Sequence, residues 1–474
     1  MSQTDDRQLF IVFGATGDLM SRKLLPALCR LKNRELRNTE FHVLGVARDT
    51  GRDDRQYREW AASVLNKASV EPDDRGWLDH FYYHSITREQ KADFDALRAK
   101  IEEIEDEADL PGNRIIYLAL PPSAMEPTIE GLGRAGLNKS AGWTRLVVEK
   151  PFGRDLKSAD HLNRALHRFF DEKQIYRIDH YLGKETVQNL LVFRFANPVF
   201  EAVWNREHVH SVRVTVAEDL GVGTRAGYYE KSGALRDMVQ NHLTQLLCLT
   251  AMEAPVAFDA DSIRDEKVKI LRSILPIEKE KVVFGQYGPG RIGDEEVKGY
   301  LEEDGVAEQS QTETFVSLPL TIANWRWQGV PFILRTGKRL QERVSRITVR
   351  FNSSPVSLFH PFTECRVSSN ELIITIQPDE GFDLRFEVKT PGQDINTKTE
   401  RLQFRYSDAF VPLPDAYETL LADVSAGDQT LFVRADEAEY SWKLYDPLLE
   451  SPRTLHSYEA GGWGPKAAGF FSDK

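Results

Sequence analysis

The sequence predicts two domains: an α/β domain on a doubly wound parallel sheet, then an α+β domain with a large, mainly antiparallel sheet covered by helices. From residue 9 to about 180, short apolar runs alternate with helical periods, as in a Rossmann-like fold. After about residue 205, segments of alternating polarity follow one another with short turns. The length of 474 residues exceeds what one hydrophobic core serves. We place the domains at residues 1–182 and 183–474.

The N-terminal strand candidates share a short apolar run between turn residues. They are Leu9–Phe13, Phe41–Val46, Phe81–His84, Arg114–Leu120, Leu146–Glu149 and Ile175–Ile178. Helical periods lie between them, at Ser21–Leu31, Arg55–Ala68, Arg88–Ile104 and Leu156–Phe169. Strands that alternate with helices in this way predict parallel pairing with crossover helices.

The C-terminal strand candidates share an alternation of apolar and polar residues. They are Val209–Ala217, Thr314–Ile322, Phe332–Thr336, Arg346–Phe351, Glu371–Gln377 and Phe382–Val388. Helices at about 232–252, 261–275 and 414–425 are expected to cover this sheet. Residues 285–310 are rich in glycine and acidic residues, which predicts a surface loop.

Composition excludes several classes of protein. The net charge is −12 and no basic stripe is present, so we expect no nucleic-acid partner. No window of 18 uncharged apolar residues and no signal peptide are visible, so we expect no membrane partner. Cys29, Cys248 and Cys365 lack metal-ligand spacing, and an odd number of distant cysteines indicates core residues in a reducing cytoplasm. We expect no metal site.

A glycine turn follows the first strand. The residues are Gly14, Ala15, Thr16, Gly17, Asp18 and Leu19, and an amphipathic helix comes after them. Backbone N–H groups at such a helix N-terminus bind a pyrophosphate, where the helix dipole favours negative charge. The spacing is not G-x-G-x-x-G, so a plain strand–helix turn remains the alternative. Because the turn lies between a strand and a helix, we favour a dinucleotide site.

The second strand ends at residues that distinguish the two nicotinamide cofactors. A carboxylate at this position bonds the ribose 2′-hydroxyl of NAD, whereas an arginine accommodates the 2′-phosphate of NADP. Arg48 therefore favours NADP, with Thr16 or Arg22 assisting, and a solvated surface charge is the alternative. The neighbouring Asp49 keeps some use of NAD open.

Two later strands also end in segments suited to a cofactor. The first continues into Leu118–Pro122, and the second into Val148–Gly153. Ligands of such sheets lie beyond the carboxyl ends of the strands. The bond between Lys150 and Pro151 is a candidate cis peptide that would project the lysine inward.

The segment Arg177–Lys184 reads RIDHYLGK and concentrates reactive groups. His180 and Lys184 are four residues apart and would share one face of a helical turn, with the hydroxyl of Tyr181 between them. An ammonium, an imidazole and a phenol make a cradle for a phosphomonoester. The alternative is a structural hydrogen-bond cluster at a strand end.

A second histidine lies in a helical segment. Leu235, Met238, Val239, His242, Leu246 and Leu249 form one apolar stripe. A histidine on such a stripe is more often a buried core residue than a catalytic base. An imidazole paired with a buried carboxylate is nevertheless suited to act as a general base near neutral pH.

Five segments together resemble the glucose-6-phosphate dehydrogenase family, in its bacterial, NADP-linked form. They are the glycine turn, the EKPFG segment, RIDHYLGK, Gly221–Tyr229 and the GAL…NH segment that ends at His242. The resemblance covers nearly the whole chain. It implies that His180, Tyr181 and Lys184 bind the substrate phosphate and that Asp179 orients the general base His242. It also places Lys150 where cofactor and substrate meet.

The same resemblance assigns residues to the sugar. Glu218 and Asp237 would bond its hydroxyls, although by themselves they are ordinary surface charges. Lys338 would contact the substrate from the turn after its strand. Arg343 stands where some relatives carry a second lysine, so its contact stays open.

The expected function is oxidation of glucose 6-phosphate to 6-phosphogluconolactone with hydride transfer to NADP, the first step of the oxidative pentose phosphate pathway. A related aldose or aldose-phosphate dehydrogenase keeps the fold but changes the substrate. An inactive regulatory relative is the other alternative, although Asp179, Lys184 and His242 are all present. The resemblance implies a cytoplasmic homodimer or homotetramer joined through the C-terminal domain.

Overall fold

The computed structural model describes residues 6–34, 36, 40–87, 90–356, 368–392, 396–410 and 413–469. The chain divides into two compact units. The first comprises Met1–Lys184, Phe258–Arg264 and Pro414–Glu439, and the second comprises Glu185–Ala257, Asp265–Leu413 and Tyr440–Lys474. The first unit thus includes two segments that the sequence prediction places with residues 183–474.

The strands of the described residues are, in chain order, β1 (Gln8–Phe13), β2 (Phe41–Ala47), β3 (Phe81–Ser85), β4 (Arg114–Leu118), β5 (Thr144–Glu149), β6 (Ile175–Ile178), β7 (Val209–Ala217), β8 (Val283–Gly288), β9 (Gly290–Ile292), β10 (Glu295–Val297), β11 (Phe315–Thr321), β12 (Pro331–Gly337), β13 (Val344–Phe351), β14 (Glu371–Gln377), β15 (Gly381–Lys389), β16 (Thr397–Arg405), β17 (Phe432–Val433) and β18 (Leu455–Glu459).

The α-helices of the same residues are α1 (Leu25–Asn33), α2 (Asp54–Lys67), α3 (Lys91–Glu107), α4 (Pro122–Arg134), α5 (Leu156–His167), α6 (Glu185–Phe195), α7 (Pro198–Glu201), α8 (Ala226–Ala234), α9 (Thr244–Ala251), α10 (Ala260–Ser273), α11 (Tyr406–Ala409), α12 (Ala416–Ala426) and α13 (Ala435–Leu449). Two wider π-helical stretches, Met20–Leu24 and Leu235–Leu243, run directly into α1 and α9.

The sheet of the first unit has the strand order β17-β6-β5-β4-β1-β2-β3. Strands β1 to β6 pair in parallel, which confirms the predicted doubly wound sheet. The order reverses between β1 and β4, so their carboxyl ends form the switch point where such sheets bind ligands. β1 is buried along its whole length, because helices cover both faces of a parallel sheet.

The C-terminal part of the chain returns to this first sheet. β17 pairs antiparallel with β6, and the rings of Tyr176 and Phe432 meet edge to face at 4.8 Å. Helix α12 packs beside α1, where Arg30 donates to Glu418 at 3.2 Å. The expectation that a helix at 414–425 covers the second sheet is therefore wrong. A local pattern shows an amphipathic helix but not which sheet it covers.

The sheet of the second unit has the order β16-β15-β14-β13-β7-β12-β11-β8-β18. Most of its neighbours are antiparallel, as predicted, but β7 pairs in parallel with β12 and β8 with β18. The π-helical stretch that leads into α9 packs on β12, β11 and β7. The predicted helical cover at about 232–252 is thus confirmed for residues 235–243.

Residues 285–310 are not the surface loop that their composition predicts. They contain most of β8, the hairpin of β9 and β10, and the fully buried Tyr300. Tyr300 and Tyr287 pack with Phe315 and Tyr458 in one core cluster. Glycine and acidic residues dominate the local composition, but contacts with distant strands decide the structure.

No helix within the described ranges is long and apolar enough to cross a membrane. Cys29 and Cys248 are buried and outside any disulfide, as predicted, and burial raises the pKa of Cys29 to about 12. Cys365 lies outside the described residues.

Candidate active site

The glycine turn closes on itself at the carboxyl end of β1. Gly14 and Ala15 both donate to the carbonyl of Val46, at 2.9 and 3.2 Å, and Gly17 donates to the carbonyl of Gly14 at 2.9 Å. Gly14 has φ +80°, and a Cβ there would lie 2.2 Å from the carbonyl oxygen of Ala119. Only glycine fits this conformation and this close approach.

Helical backbone begins at Asp18, so the turn and the helix N-terminus are one feature. Gly17 and Asp18 are exposed, Thr16 and Leu19 are partly exposed, and Ala15 is buried. The first N–H groups of a helix have no intrahelical acceptor, and the helix dipole favours an anion beside them. The turn therefore offers a pyrophosphate an exposed helix N-terminus.

Arg48 is exposed immediately after β2, on the strand whose Val46 anchors the glycine turn. The carboxylate of the next residue, Asp49, accepts a bond from Gly51 N–H at 3.0 Å and lies 3.5 Å from Arg52. Asp49 therefore already has partners, whereas the exposed guanidinium of Arg48 can pair with an approaching anion. This arrangement fits a 2′-phosphate.

The peptide bond between Lys150 and Pro151 is cis, as predicted. Directly before it, Glu149 accepts hydrogen bonds from the hydroxyls of Tyr117 at 2.6 Å and Tyr417 at 3.3 Å. Burial raises the pKa of Glu149, although both tyrosine bonds and Lys150 oppose the shift. The sequence analysis missed this cluster, because Tyr417 lies far along the chain and its pattern is that of an ordinary helix residue.

The residues after β6 form consecutive turns rather than the expected helical turn. Asp179 is 1% exposed and its Oδ1 accepts from the N–H of Tyr181 at 3.0 Å. The Lys184 ammonium lies 5.5 Å from the centre of the Tyr181 ring. The His180 ring lies nearly parallel to that of Tyr417, with centres 6.3 Å apart. The structure thus keeps an imidazole, a phenol and an ammonium within one short segment.

Two predicted residues of the second unit form an ion pair. Glu218 follows β7 and Lys338 follows β12, and these strands pair in parallel with Ala217 opposite Gly337. Their carboxyl ends therefore coincide, and Lys338 Nζ donates to Glu218 Oε2 at 2.6 Å. The ammonium also lies 5.1 Å from the ring centre of the buried Tyr229. A lysine and a carboxylate so placed offer both a donor and an acceptor to a polyol.

Asp237 has a tyrosine partner that sequence reasoning missed. The hydroxyl of Tyr228 donates to Asp237 Oδ1 at 3.3 Å, and the guanidinium of Arg225 lies 4.9 Å from the centre of the Tyr228 ring. Burial and the nearby Asp237 raise the pKa of Tyr228, which remains a hydrogen-bond donor. The signal in the sequence is the pair of tyrosines before the GAL segment.

His242 is 1% exposed and lies near the end of the π-helical stretch Leu235–Leu243. Its backbone N–H donates to Asn241 Oδ1 at 2.6 Å. The backbone N–H of Thr244 donates to the carbonyl of Val239, five residues earlier, and the Thr244 hydroxyl donates to the same carbonyl at 2.6 Å. Wide helical turns of this kind are frequent at functional sites. Arg343, by contrast, is exposed just before β13.

One cluster elsewhere in the first unit has metal-ligand chemistry. Donor atoms of Glu40, His42 and His80 lie within 4.8 Å of one another. His42 Nε2 lies 3.0 Å from Glu40, and the rings of His42 and His80 stack at 4.4 Å with an angle of 24°. Stacked rings direct their nitrogen lone pairs along nearly parallel planes, so they do not converge on one ion. A hydrogen bond and ring stacking account for this cluster.

The predicted site residues thus fall into two groups. The first group follows strands of the parallel sheet in the first unit. It comprises Gly14 to Leu19, Arg48, Lys150, Pro151 and the segment 179–184. Because the strands are parallel, these residues lie at one edge of that sheet. The second unit holds the others, which are Glu218, Asp237, His242, Lys338 and Arg343.

Comparison with known families gives two matches that together span the chain. The family described as "Glucose-6-phosphate dehydrogenase, NAD binding domain" matches residues 11–189, and the one described as "Glucose-6-phosphate dehydrogenase, C-terminal domain" matches residues 191–474. The first unit therefore contains a domain of a nicotinamide-cofactor family.

Curated relatives are similar over almost their whole length. The glucose-6-phosphate 1-dehydrogenase of Aggregatibacter actinomycetemcomitans is 47% identical, over 97% of this chain and 94% of its own. The enzyme of the same name from Bacillus subtilis (strain 168) is 42% identical, over 97% of this chain and 95% of its own. A solved glucose-6-phosphate dehydrogenase in complex with glucose 6-phosphate superposes with a TM-score of 0.89 at 38% identity, covering 98% of this chain and 96% of that one. The solved glucose-6-phosphate 1-dehydrogenase of Mycobacterium avium superposes with a TM-score of 0.83 at 35% identity, covering 97% of this chain and 96% of that one.

Proposed function

The chain belongs to the glucose-6-phosphate dehydrogenase family and is an oxidoreductase, and on that premise we propose that it oxidises glucose 6-phosphate to 6-phosphogluconolactone with NADP. The observation that carries the proposal is the segment 179–184, which offers a phosphomonoester an imidazole, a phenol and an ammonium at the carboxyl edge of a nucleotide-binding sheet. A relative with this fold binds glucose 6-phosphate.

The phosphate of the substrate is assigned to His180, Tyr181 and Lys184. The ammonium of Lys184 supplies a charge-assisted bond, which is stronger than a neutral one. The segment is held in shape by the bond from Tyr181 N–H to Asp179 and by the close contact of Gly183, whose added Cβ would lie 2.5 Å from the carbonyl oxygen of Ala416. A preformed cradle binds phosphate with little loss of side-chain entropy.

The hydroxyls of the sugar are assigned to Glu218, Asp237 and Lys338, with Arg343 and Lys150 as further substrate contacts. The ion pair of Glu218 with Lys338 and the bond from Tyr228 to Asp237 hold these groups before a ligand arrives. Each side chain keeps further donor or acceptor capacity for a hydroxyl.

His242 is assigned as the general base and Asp179 as the carboxylate that orients it and stabilises its imidazolium. The base removes the proton of the C1 hydroxyl as the C1–H bond breaks. Imidazole is suited to this step because its ordinary pKa lies near neutral pH. His242 is buried, which keeps bulk water away from its ring.

The cofactor is assigned to the glycine turn, Gly14 to Leu19, with Arg48 on the 2′-phosphate and Lys150 and Pro151 at the nicotinamide end. NADP, when bound, supplies the hydride acceptor. The exposed helix N-terminus at Asp18 and the exposed guanidinium of Arg48 fit its phosphates. The partners of Asp49 favour NADP over NAD, with some use of NAD still expected.

We assign residues 1–182 to dinucleotide binding and residues 183–474 to substrate binding and self-association. A homodimer or homotetramer is proposed because β16 is a largely exposed edge strand of the nine-stranded sheet, with Leu402 63% exposed. A cytoplasmic enzyme at the start of the oxidative pentose phosphate pathway is the corresponding cellular role.

The test is a rate assay at 340 nm with glucose 6-phosphate or glucose, each with NADP or NAD. We expect the highest kcat/KM for glucose 6-phosphate with NADP. A higher kcat/KM for glucose would contradict the phosphate assignment, and a preference for NAD would contradict that of Arg48. Absence of turnover with every pair of substrate and cofactor would favour the alternative that the chain is an inactive regulatory relative. Light scattering measures the oligomeric state of the same sample.

A further inference from the structure

The helix that carries Asp237 and His242 begins at a sharp kink. Within α8, Gly233 adopts φ +64° and ψ 176°, which ends one helical direction and starts the next at Leu235. Asp237 lies in the first turn of the new helix and His242 in its last π-helical turn. The direction of this helix therefore sets the position of both side chains.

A segment of the second unit, residues 300–313, holds this kink from both sides; we refer to it as the bracing segment. Before the kink, Glu230 Oε1 accepts bonds from Tyr300 at 2.5 Å and Ser310 at 2.6 Å. In addition, Thr312 donates to the backbone carbonyl of Glu230 at 3.0 Å. The bracing segment is thus attached to the last turns of α8.

After the kink, Glu313 receives the first N–H groups of the new helix. Its backbone carbonyl accepts from Ala234 at 3.0 Å, and its carboxylate Oε1 accepts from Leu235 at 3.1 Å. These N–H groups have no acceptor inside the helix, and a carboxylate there also interacts favourably with the helix dipole. A Cβ on Gly233 would lie 2.5 Å from the same Oε1, so glycine is required for this approach.

The carboxylate of Glu313 is held in place by an arginine. Arg453 donates to Glu313 Oε2 at 2.7 Å and to the carbonyl of Leu448 at 3.2 Å, at the end of α13. The Glu313 side chain is only 3% exposed, and its burial raises its pKa against the opposing effect of Arg453. A buried carboxylate that is paired on one oxygen and caps a helix with the other has little freedom to move.

We propose that Glu313 is a positioning residue of the reaction: it fixes the start, and hence the direction, of the helix that presents Asp237 and His242. The inference rests on the proposed function, in which these two residues contact the sugar and remove its proton. No role in proton transfer is assigned to Glu313 itself.

The test compares Glu313→Ala, which removes the cap, with Glu313→Gln, which keeps an acceptor for the N–H of Leu235. For Glu313→Ala we expect kcat to fall and the KM for glucose 6-phosphate to rise, each about tenfold, because small misplacements of reacting groups are costly. Glu313→Gln should lie between this variant and the parent. The KM for NADP should not change, since the cofactor contacts are assigned to the first unit.

Glu308→Ala is the matched control, because Glu308 is exposed in the same segment. It should keep the parent's kinetics. Gly233→Ala disturbs the same contact, because its Cβ would lie 2.5 Å from Glu313 Oε1. It should likewise raise the KM for glucose 6-phosphate and leave the KM for NADP unchanged. If Glu313→Ala does not fold, Glu313→Gln and Gly233→Ala decide the question. Folded variants with lowered melting temperatures but the parent's kcat and KM would overturn the proposal.

His242→Asn separates this inference from the proposed function. If that variant keeps the parent's kcat, the assignment of the base is wrong. The position of the helix is then still tested by the NMR signal of the His242 ring, identified by its absence in His242→Asn. Glu313→Ala should shift this signal and Glu308→Ala should not. An unshifted signal in Glu313→Ala would overturn the positioning role independently of any rate.

Discussion

The two units build their binding residues in opposite ways. In the first unit, six consecutive residues, Gly14 to Leu19, form a closed turn that leads directly into the N-terminus of a helix, the proposed site of the dinucleotide phosphates. In the second, Glu218 and Lys338 are 120 positions apart and meet because β7 and β12 are parallel neighbours. A site made from contiguous backbone is visible in a short stretch of sequence. A site made from side chains on separate strands exists only after the sheet has formed.

The two groups also differ in how strongly one substitution can affect them. Backbone N–H groups in a turn share the binding of a phosphate, and no single side chain supplies it. The proposed base, His242, and the proposed phosphate lysine, Lys184, are each a single side chain for which no other residue is proposed. We therefore expect the largest losses from His242 and Lys184 and smaller ones around the dinucleotide turn.

The largest effect is expected for His242→Asn. Without a base the C1 hydroxyl proton has no positioned acceptor, and kcat should fall about 10²- to 10⁴-fold with little change in the KM for glucose 6-phosphate. Steady-state rates at 340 nm measure both. His210→Asn, on the exposed side of β7, is the control and should keep the parent's kcat. A loss below tenfold would mean that the base is another group.

Lys184→Gln should mainly weaken substrate binding. Hydrogen bonds to charged groups contribute about 1.5–3 kcal/mol, so the KM for glucose 6-phosphate should rise about 10- to 100-fold. Activity on glucose, which has no phosphate, should stay the same. Lys173→Gln, an exposed lysine of the same unit, controls for net charge. An equal loss on both substrates would contradict a phosphate contact.

Arg48→Ala tests the smaller, shared contribution at the dinucleotide turn. We expect the KM for NADP to rise about tenfold, equivalent to about 1.4 kcal/mol, and the KM for NAD to change little. Arg55→Ala removes an exposed arginine that pairs with Glu59 and should leave both values unchanged. If the two KM values rise together, Arg48 acts on a part that both cofactors share.

The smallest effect concerns Glu149, whose folded-state pKa is raised by burial. Such a carboxyl contributes stability below its unfolded pKa, and this contribution is lost as pH rises through the folded pKa. The parent should therefore lose stability relative to Glu149→Gln as pH rises above about 4.5. Thermal unfolding of both proteins between pH 4.5 and 8 measures the difference. Glu102→Gln, at an exposed position, is the control and should keep a constant difference in stability from the parent. A difference in stability between the parent and Glu149→Gln that stays constant with pH would contradict the raised pKa of Glu149.

Sequence reasoning located most elements and all the motifs, because these depend on short-range patterns. The buried runs of β1 to β6 and the alternation in β7 match their predicted positions within a few residues. It missed the helices α4, α6 and α13, the strands β8, β16 and β18 and several shorter elements, and it misread residues 285–310. In that segment Tyr300 is buried by partners far along the chain, which local composition does not reveal.

The same limit applies to the site. The tyrosines around Glu149 come from β4 and α12, and Glu313 reaches the kink at Gly233 from a separate segment. Nothing near these residues in the sequence indicates their partners. These tyrosines and Glu313 hydrogen-bond to segments that the sequence motifs had identified.

The sequence by itself determined the fold class, the family, and the functional groups that the glycine turn and RIDHYLGK contain, because consecutive residues carry those features. Only the tertiary structure decided that Glu218 pairs with Lys338, that α12 and β17 complete the first unit, and that Glu313 caps the helix of His242. Contacts between distant segments depend on strand order and packing, which are properties of the whole chain rather than of any short stretch of it.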